Sequence, residues 1–469
     1  MFKGKSTENL IKASMGVLSE SLPDLVTFNS SIVDQMQWER VSNVELTDGT
    51  SQAECDLFAL INEFCCNAIL PSIVGTQFTE SYQLLGTDLA TFNQCFWALA
   101  LGLPRFSPIQ GLPGAALAQR RLLTKFTSLF EDLTDPPVRR VPDDDESVSG
   151  EETDADIATP LTKLNELFMK SDVPMEVRAA TALQAVHSVV AEVVPLVFWT
   201  ILHIYSLSTT QETQESTETP LEKIKEETKS WAQAMQPPSI HPSFPAPPEI
   251  RFPSADAALT PTSFPYLHSC INESRRLYNC PLSTYKLTKP ITLQEPSITR
   301  PGKQDEWTLD INSYIDIGLS QTLINSSPTT YSSPSTFQPT RFLANPTPPS
   351  IVSPTDPSHL YKTALLASLI SGITQLWDLA PAPKKSFLEH MQEAGAEASM
   401  GAAALSGEQN VARHQAPPAR QDDGNDKTAK WVIPKTREGA YVRLPTRDVR
   451  VRVRRREGLP GSRVVGRIG

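Results

Sequence analysis

Residues 263–293, "SFPYLHSCINESRRLYNCPLSTYKLTKPITL", decide how the rest of the chain is read. The stretch reads as a helix that carries Glu273 and Arg276, followed by a proline and then a strand. At a spacing of i, i+3 the carboxylate and the guanidinium share a helix face and can form a charge-assisted pair. Taken alone, such a pair is a surface contact worth at most about 1 kcal/mol. Its weight changes with "FQPTRF" at residues 337–342, which brings Phe337, Pro339, Arg341 and Phe342. Arg341 is a second guanidinium able to close a Glu–Arg–Arg cluster. The expectation is that Glu273, Arg276 and Arg341 converge in space, with an arginine nitrogen in hydrogen-bond reach of the carboxylate.

A helical ExxR followed by FxPxRF resembles the cytochrome P-450 superfamily, whose core is locked beneath the haem by this carboxylate and two arginines. Further segments carry the same resemblance. "RAATALQAVHSVVAEVVPLVFWTILHIYS" (178–206) is similar to the family's long central helix, in the A-x-x-x-P-x-x-FW form of relatives of sterol 7α-hydroxylase and prostacyclin synthase. "GLPRFSPIQGLPGAALAQRRLL" (102–123) and "PTRDVRVRVRRRE" (445–457) resemble segments of fungal members of that branch. The resemblance implies a mainly α fold with a small β portion, P-450-like and truncated at the N-terminus. It makes Glu273, Arg276 and Arg341 structural residues of the haem-side core rather than catalysts. It also implies haem as cofactor, an apolar small molecule such as a lipid or a secondary metabolite as substrate, and a reductase as redox partner if the protein is active.

Three departures bear on chemistry. The family places its axial thiolate in FxxGxxxCxG, where it supplies the electron push for O–O cleavage. This chain has no cysteine after Cys280. In the expected position stands "PPSIVSPTDPSHLYKTALLASLISGITQLWDLAPAP" (348–383), whose second half resembles the helix after the haem loop, with Asp356 or an adjacent gap where the cysteine belongs. Histidine ligates haem iron in other folds, but His359, beside a helix start, reads first as a cap or surface residue and only second as a ligand. In the central helix Glu192 is the candidate for proton delivery, yet Val193 follows it where the family has a threonine, and valine donates no proton. The anchor, the first helices and the first sheet of the family are not recognised. The expected protein belongs to a lineage of haem monooxygenases without being haem-thiolate competent as it stands. The alternatives are a non-catalytic P-450-like protein that binds a ligand or partner, and an active monooxygenase whose record is incomplete across residues 343–359.

Composition sets the outer bounds. The chain has 469 residues, with 39% apolar content and 40 prolines, enough for a sizeable core together with irregular segments. A net charge of −11 disfavours general nucleic-acid binding. The Arg-rich residues 447–456 read as a solvated edge strand rather than a nucleic-acid arm. Six cysteines without CxxC spacing argue against a zinc site or a disulfide framework and favour a reducing compartment. Adjacent Cys65 and Cys66 read as core residues. No signal peptide or N-terminal anchor is legible, so an intracellular location is expected. The apolar run 189–207 carries Glu192, Pro195 and His203, and reads as a buried helix rather than a membrane span.

Five regions follow. Residues 1–135 form the helical N-terminal part, an all-helical layer that includes "ECDLFALINEFCCNAIL" with Leu57, Leu60, Ile61, Phe64 and Cys65 on one face. Residues 136–160 form an acidic loop around "PDDDESVSGEETDAD". Residues 161–384 hold the central helix, a surface helix from "LEKIKEETKSWAQAM" with Glu222 pairing Lys225, the ExxR helix, a small sheet and the degenerate haem-side region. Residues 385–428, rich in Ala, Gly and Gln, form a flexible insertion. Residues 429–469 return to period-two alternation as a C-terminal strand and basic tail.

Overall fold

A helix apolar on all sides has to lie inside the protein, and two such helices build the centre of this one. The structure, a computed structural model, describes residues 4–29, 31–47, 51–135, 159–211, 218–238, 246–280, 283–297, 299–317, 323–344, 357–383 and 429–461. The acidic loop at 142–156 and the insertion at 385–428 lie outside the described residues.

From the amino end, α1 (Lys5–Ser21) turns Leu10, Ile11, Met15 and Leu18 inward. After α2 (Gln37–Val41), strands β1 (Glu45–Thr47) and β2 (Gln52–Asp56) pair antiparallel, with Leu46 opposite Ala53. Six helices follow: α3 (Leu57–Ile69), α4 (Pro71–Val74), α5 (Thr76–Ser81), α6 (Leu85–Gln94), α7 (Phe96–Ala100) and α8 (Leu112–Thr134). Residues 7–135 are therefore not all helical. "ECD" belongs to β2, because its backbone pairs with a strand from the far end of the chain while Ala53 and Cys55 face the core. The face expected on α3 is buried as read, Cys65 and Cys66 included.

Next come α9 (Pro160–Lys170), α10 (Met175–Gln211) and α11 (Pro220–Thr228), then the short strands β3 (Gln233–Met235) and β4 (Glu249–Arg251). Helix α10 is the first central element, buried on every side from Val193 to Leu202. By length and composition two stretches, Leu57–Val74 and Met175–Thr210, could cross a membrane, but their apolar surface is mostly buried within the protein. In α11 Glu222 does not pair Lys225. It closes a capping box by accepting from the Thr219 N–H at 2.9 Å, and Lys225 reaches Asp378 at 3.1 Å instead. The helix stops at Thr228, and "QAM" becomes β3.

Helices α12 (Ala255–Leu259) and α13 (Pro265–Tyr278) lead to β5 (Ser283–Lys286), β6 (Ile291–Pro296), β7 (Gln304–Leu309) and β8 (Tyr314–Ile317). These strands form two antiparallel pairs, β5 with β8 and β6 with β7. Helix α14 (His359–Leu376) is the second central element, and from Tyr361 to Leu376 all of its residues are buried. It lies so close to the turn after α1 that a Cβ on Gly372 would collide with Leu22. Strands β9 (Trp377–Pro381), β10 (Thr436–Arg437), β11 (Leu444–Pro445) and β12 (Arg450–Arg455) complete a mainly α protein with small antiparallel sheets.

The Arg-rich segment is not an edge strand. β12 lies inside a four-stranded sheet of order β1-β2-β12-β9, with β2 on one side and β9 on the other. Its alternation explains the position: Val451 and Val453 enter the core, and the arginines alternating with them meet carboxylates on the other strands of the sheet. Arg452 Nε donates to Glu54 Oε1 at 3.0 Å, Arg450 reaches Glu45 at 2.7 Å, and Arg454 reaches Asp378 at 3.6 Å. Just before β12, the Asp448 carboxylate accepts from the N–H groups of Phe58 (2.7 Å) and Ala59 (2.8 Å), capping α3. Burial pushes Asp448 up to about 6.

An interior strand and a solvated one respond differently to truncation. Arg452→Ala strips the nearest donor from Glu54, whose side chain is 3% exposed, and should lower stability by about 1–3 kcal/mol. Arg454→Ala, on a side chain 54% exposed, should cost less than about 1 kcal/mol. Urea unfolding midpoints of the two variants check the contrast, and equal small effects would place β12 at an edge.

Candidate functional site

Helix α13 starts at Pro265, and the N–H groups of Tyr266 and Leu267 donate to the Glu227 carboxylate of α11 at 2.8 and 2.9 Å. This anchor sets which face of α13 turns inward, and Glu273 on that face is fully buried. Arg276 grips it bidentately, through Nε at 2.8 Å and Nη2 at 2.9 Å. Arg341 Nε lies 3.1 Å from both carboxylate oxygens, and the Gln338 N–H donates to Oε1 at 3.0 Å. The three residues named from sequence thus converge on one carboxylate.

One carboxylate faces two guanidinium groups here, so backbone carbonyls must satisfy the remaining N–H groups. Arg276 Nη1 donates to the Asn325 carbonyl at 2.6 Å, and Arg341 Nη1 to that of Ser332 at 2.8 Å. Arg341 Nη2 reaches the carbonyls of Ser333 and Thr336 at 3.4 Å. Ser333 holds a left-handed backbone with φ 48 to present its carbonyl. The Tyr331 ring lies 5.1 Å from the Arg276 guanidinium carbon and 5.7 Å from that of Arg341. Phe337 stacks on His203 of α10 at 4.4 Å, and His203 Nε2 shares a 2.6 Å hydrogen bond with the Tyr278 hydroxyl of α13. The cluster binds α13, the 323–342 segment and α10 together. The Glu273 carboxylate and both guanidinium groups are taken up by bonds within the protein.

The second constellation lies where α10 meets α14. Glu192 Oε2 accepts from Lys362 Nζ at 2.8 Å, and its other oxygen is 3.8 Å from Arg275 Nη2. Lys362 and Arg275 are almost wholly buried, with side chains 2% and 3% exposed. Lys362 Nζ also lies 5.5 Å from the centre of the Tyr441 ring. Glu192, the proton-delivery candidate, is held as one partner of an ion pair between two helices. Sequence reading did not single out Lys362 or Arg275. The one available signal was a lysine near the start of a helix with no other lysine, arginine or carboxylate. His359 is the first residue of α14 and half-buried. Among the described residues no group of three or more His, Cys, Asp or Glu could hold a metal ion.

The described residues do not fit a haem. Five of the six cysteines are buried, and the sixth, Cys280, is partly so. Burial raises the Cys270 thiol well above its ordinary range and pushes Cys280 up to about 12, so neither is poised as a thiolate. The Lys362–Glu192 pair joins α10 to α14 directly. The cavity beside α10, lined by Asn62, Asn93, His187, Val190, Val194 and Leu444 among others, measures about 10 Å³. That is room for roughly one water molecule, against about 300–1,000 Å³ for small-molecule pockets. An open groove of about 560 Å³ follows the outer face of α8 from Ala116 to Glu131, with Arg105 beside it, and shares no residue with either constellation.

Comparison with protein-family models and with curated proteins gives no match.

Two outcomes follow from this geometry. Arg276→Ala removes one partner of a buried pair and should cost about 3–5 kcal/mol in urea unfolding, with Arg276→Lys recovering only part because ammonium lacks the bidentate fork. A loss below about 1 kcal/mol would mean a solvated pair. The second concerns His187, whose Nε2 has no hydrogen-bond partner and whose ring lies 4.8 Å from Phe92 and 5.4 Å from Phe96. Burial, then the charge of Lys362, lowers it to about 3. Between its unfolded value of about 6.5 and that folded value, the unfolded chain binds the extra proton, so stability falls as pH falls. His187→Phe removes this term. From pH 7.5 to pH 5.0 its stability relative to wild type should rise by about 2 kcal/mol, read from urea midpoints. A constant difference would show that His187 titrates normally.

Proposed function

We propose that the chain is a protein of P-450-like fold that keeps the family's carboxylate–arginine core and does not perform haem-thiolate oxidation. Its role is that of a non-catalytic binding protein. The observation that carries this reading is the contrast between the two constellations: the Glu273–Arg276–Arg341 cluster is complete, while Lys362 and Glu192 pair directly across α10 and α14. The order of the motifs, ExxR before FxPxRF before the helix at 359–376, supports the P-450-like assignment. The absence of any cysteine after Cys280 supports the loss of thiolate chemistry.

Within the binding reading, the small size of the cavity beside α10, about 10 Å³, favours a partner held at the surface over an apolar small molecule held there. A reductase would have no electron acceptor to serve.

The reduced-CO difference spectrum of the purified full chain tests the reading. The expected result is no haem-thiolate band and no NADPH-dependent oxidation in the presence of a reductase. A thiolate band with substrate oxidation would overturn it. Recovery of both only from a transcript-supported FxxGxxxCxG segment inserted across 343–359 would establish the alternative of an active enzyme with an incomplete record.

A further inference from the structure

Residues 439–444 do not form a surface turn. They run between the helices, and their backbone groups are taken up by several different elements. Trp97 Nε1 of α7 donates to the Gly439 carbonyl at 2.8 Å, and the Ala440 N–H donates to Asn93 Oδ1 of α6 at 2.9 Å. The Cys280 N–H donates to the Tyr441 carbonyl at 2.8 Å, and the Arg443 N–H to the Tyr278 carbonyl at the end of α13 at 2.9 Å. Trp199 Nε1 of α10 donates to the Arg443 carbonyl at 2.8 Å, and its indole stacks on Tyr278 at 4.2 Å. Gly439, Ala440, Val442 and Leu444 are buried. The half-buried Tyr441 ring stands between Lys362 of α14 and His187 of α10, 6.2 Å from the latter's ring.

Position 439 is built for this path. A Cβ there would collide with the Val442 carbonyl oxygen and lie 3.0 Å from Leu444 Cγ, so only glycine allows the chain to fold back on itself at this point. The void left over is the cavity of about 10 Å³ that Leu444 helps to line.

We propose that residues 439–444 are a built-in occupant of the cleft bounded by α6, α10, α13 and α14. The chain supplies from its own sequence the buried surface and hydrogen bonds that a bound group would supply, and the Lys362–Glu192 pair closes the same cleft beneath Tyr441. Among the described residues this cleft is filled by the chain itself, without a prosthetic group or an interior ligand. This rests on the P-450-like reading only for the choice of haem as the displaced group; the packing itself does not depend on it.

The test uses the purified full chain, hemin as one probe and anilinonaphthalene sulfonate as the other. Wild type should bind neither and melt at the same temperature with or without hemin. Gly439→Val should melt lower by more than about 5 °C and gain dye binding and hemin uptake while keeping its helical circular dichroism. Gly114→Ala is the control, since a Cβ there meets only Thr91 Cγ2 at 3.8 Å, and it should behave as wild type. If Gly439→Val does not fold, Tyr441→Ala keeps the backbone path, removes the ring at the mouth, and should gain probe binding. Uptake of one hemin per wild-type chain with a rise in melting temperature overturns the proposal, as does a failure of both variants to gain binding. A one-to-one hemin complex without thiolate character would overturn the built-in occupant alone. A thiolate spectrum would overturn the functional reading as well.

Discussion

A fully buried carboxylate has to be paired, and Glu273 is the point around which the other elements of the core are fixed. Arg276 satisfies it from within its own helix, and Arg341 from a segment more than sixty residues further on. Each guanidinium then needs carbonyls for its remaining N–H groups, and the turn at 332–336 is shaped to present them. Because the same helix contributes Tyr278, which stacks on Trp199 and bonds His203, the orientation of α13 sets that of α10 against it. One ionised group therefore constrains three segments through directional bonds, a degree of specification that apolar packing alone does not provide.

The ion pair between α10 and α14 follows the same rule with a different result. Lys362 lies in a helix with no other lysine, arginine or carboxylate and would be costly to bury without a partner. Glu192 gives it one, and the pairing ties α10 directly to α14. The carboxylate at 192 is engaged in holding the two helices together. The same lysine helps to depress His187 below its ordinary value, so the interior favours a neutral ring there.

Charge at the other end of the chain is used in a comparable way. The arginines of β12 alternate with valines, and pairing with Glu45, Glu54, Asp56 and Asp378 lets the strand occupy the middle of a sheet. Basic composition in such a segment says little about a nucleic-acid surface, since much of the charge is matched across the ladder. Asp448, capping α3 from just before this strand, ties the C-terminal sheet to the N-terminal helices.

Sequence by itself determined what depends on local spacing. The i, i+3 relation of Glu273 and Arg276, the buried face of α3, the apolar length of α10, and the strands after residue 282 are all set by short-range period. The convergence of Arg341 was legible because its motif carries a recognisable order. Tertiary structure decided what depends on partners far along the chain. The helical period continued through "ECD" because nothing local reveals that β12 takes up its backbone. The Arg-rich strand read as solvated because its carboxylate partners sit on strands at 45–56 and 377–381. Glu222 was given to Lys225 by spacing, whereas its own N-cap was the better donor. Lys362 and the inward path of 439–444 left almost no local trace, since an ion pair across two helices and a buried loop are specified by the space between elements, which a linear pattern does not encode.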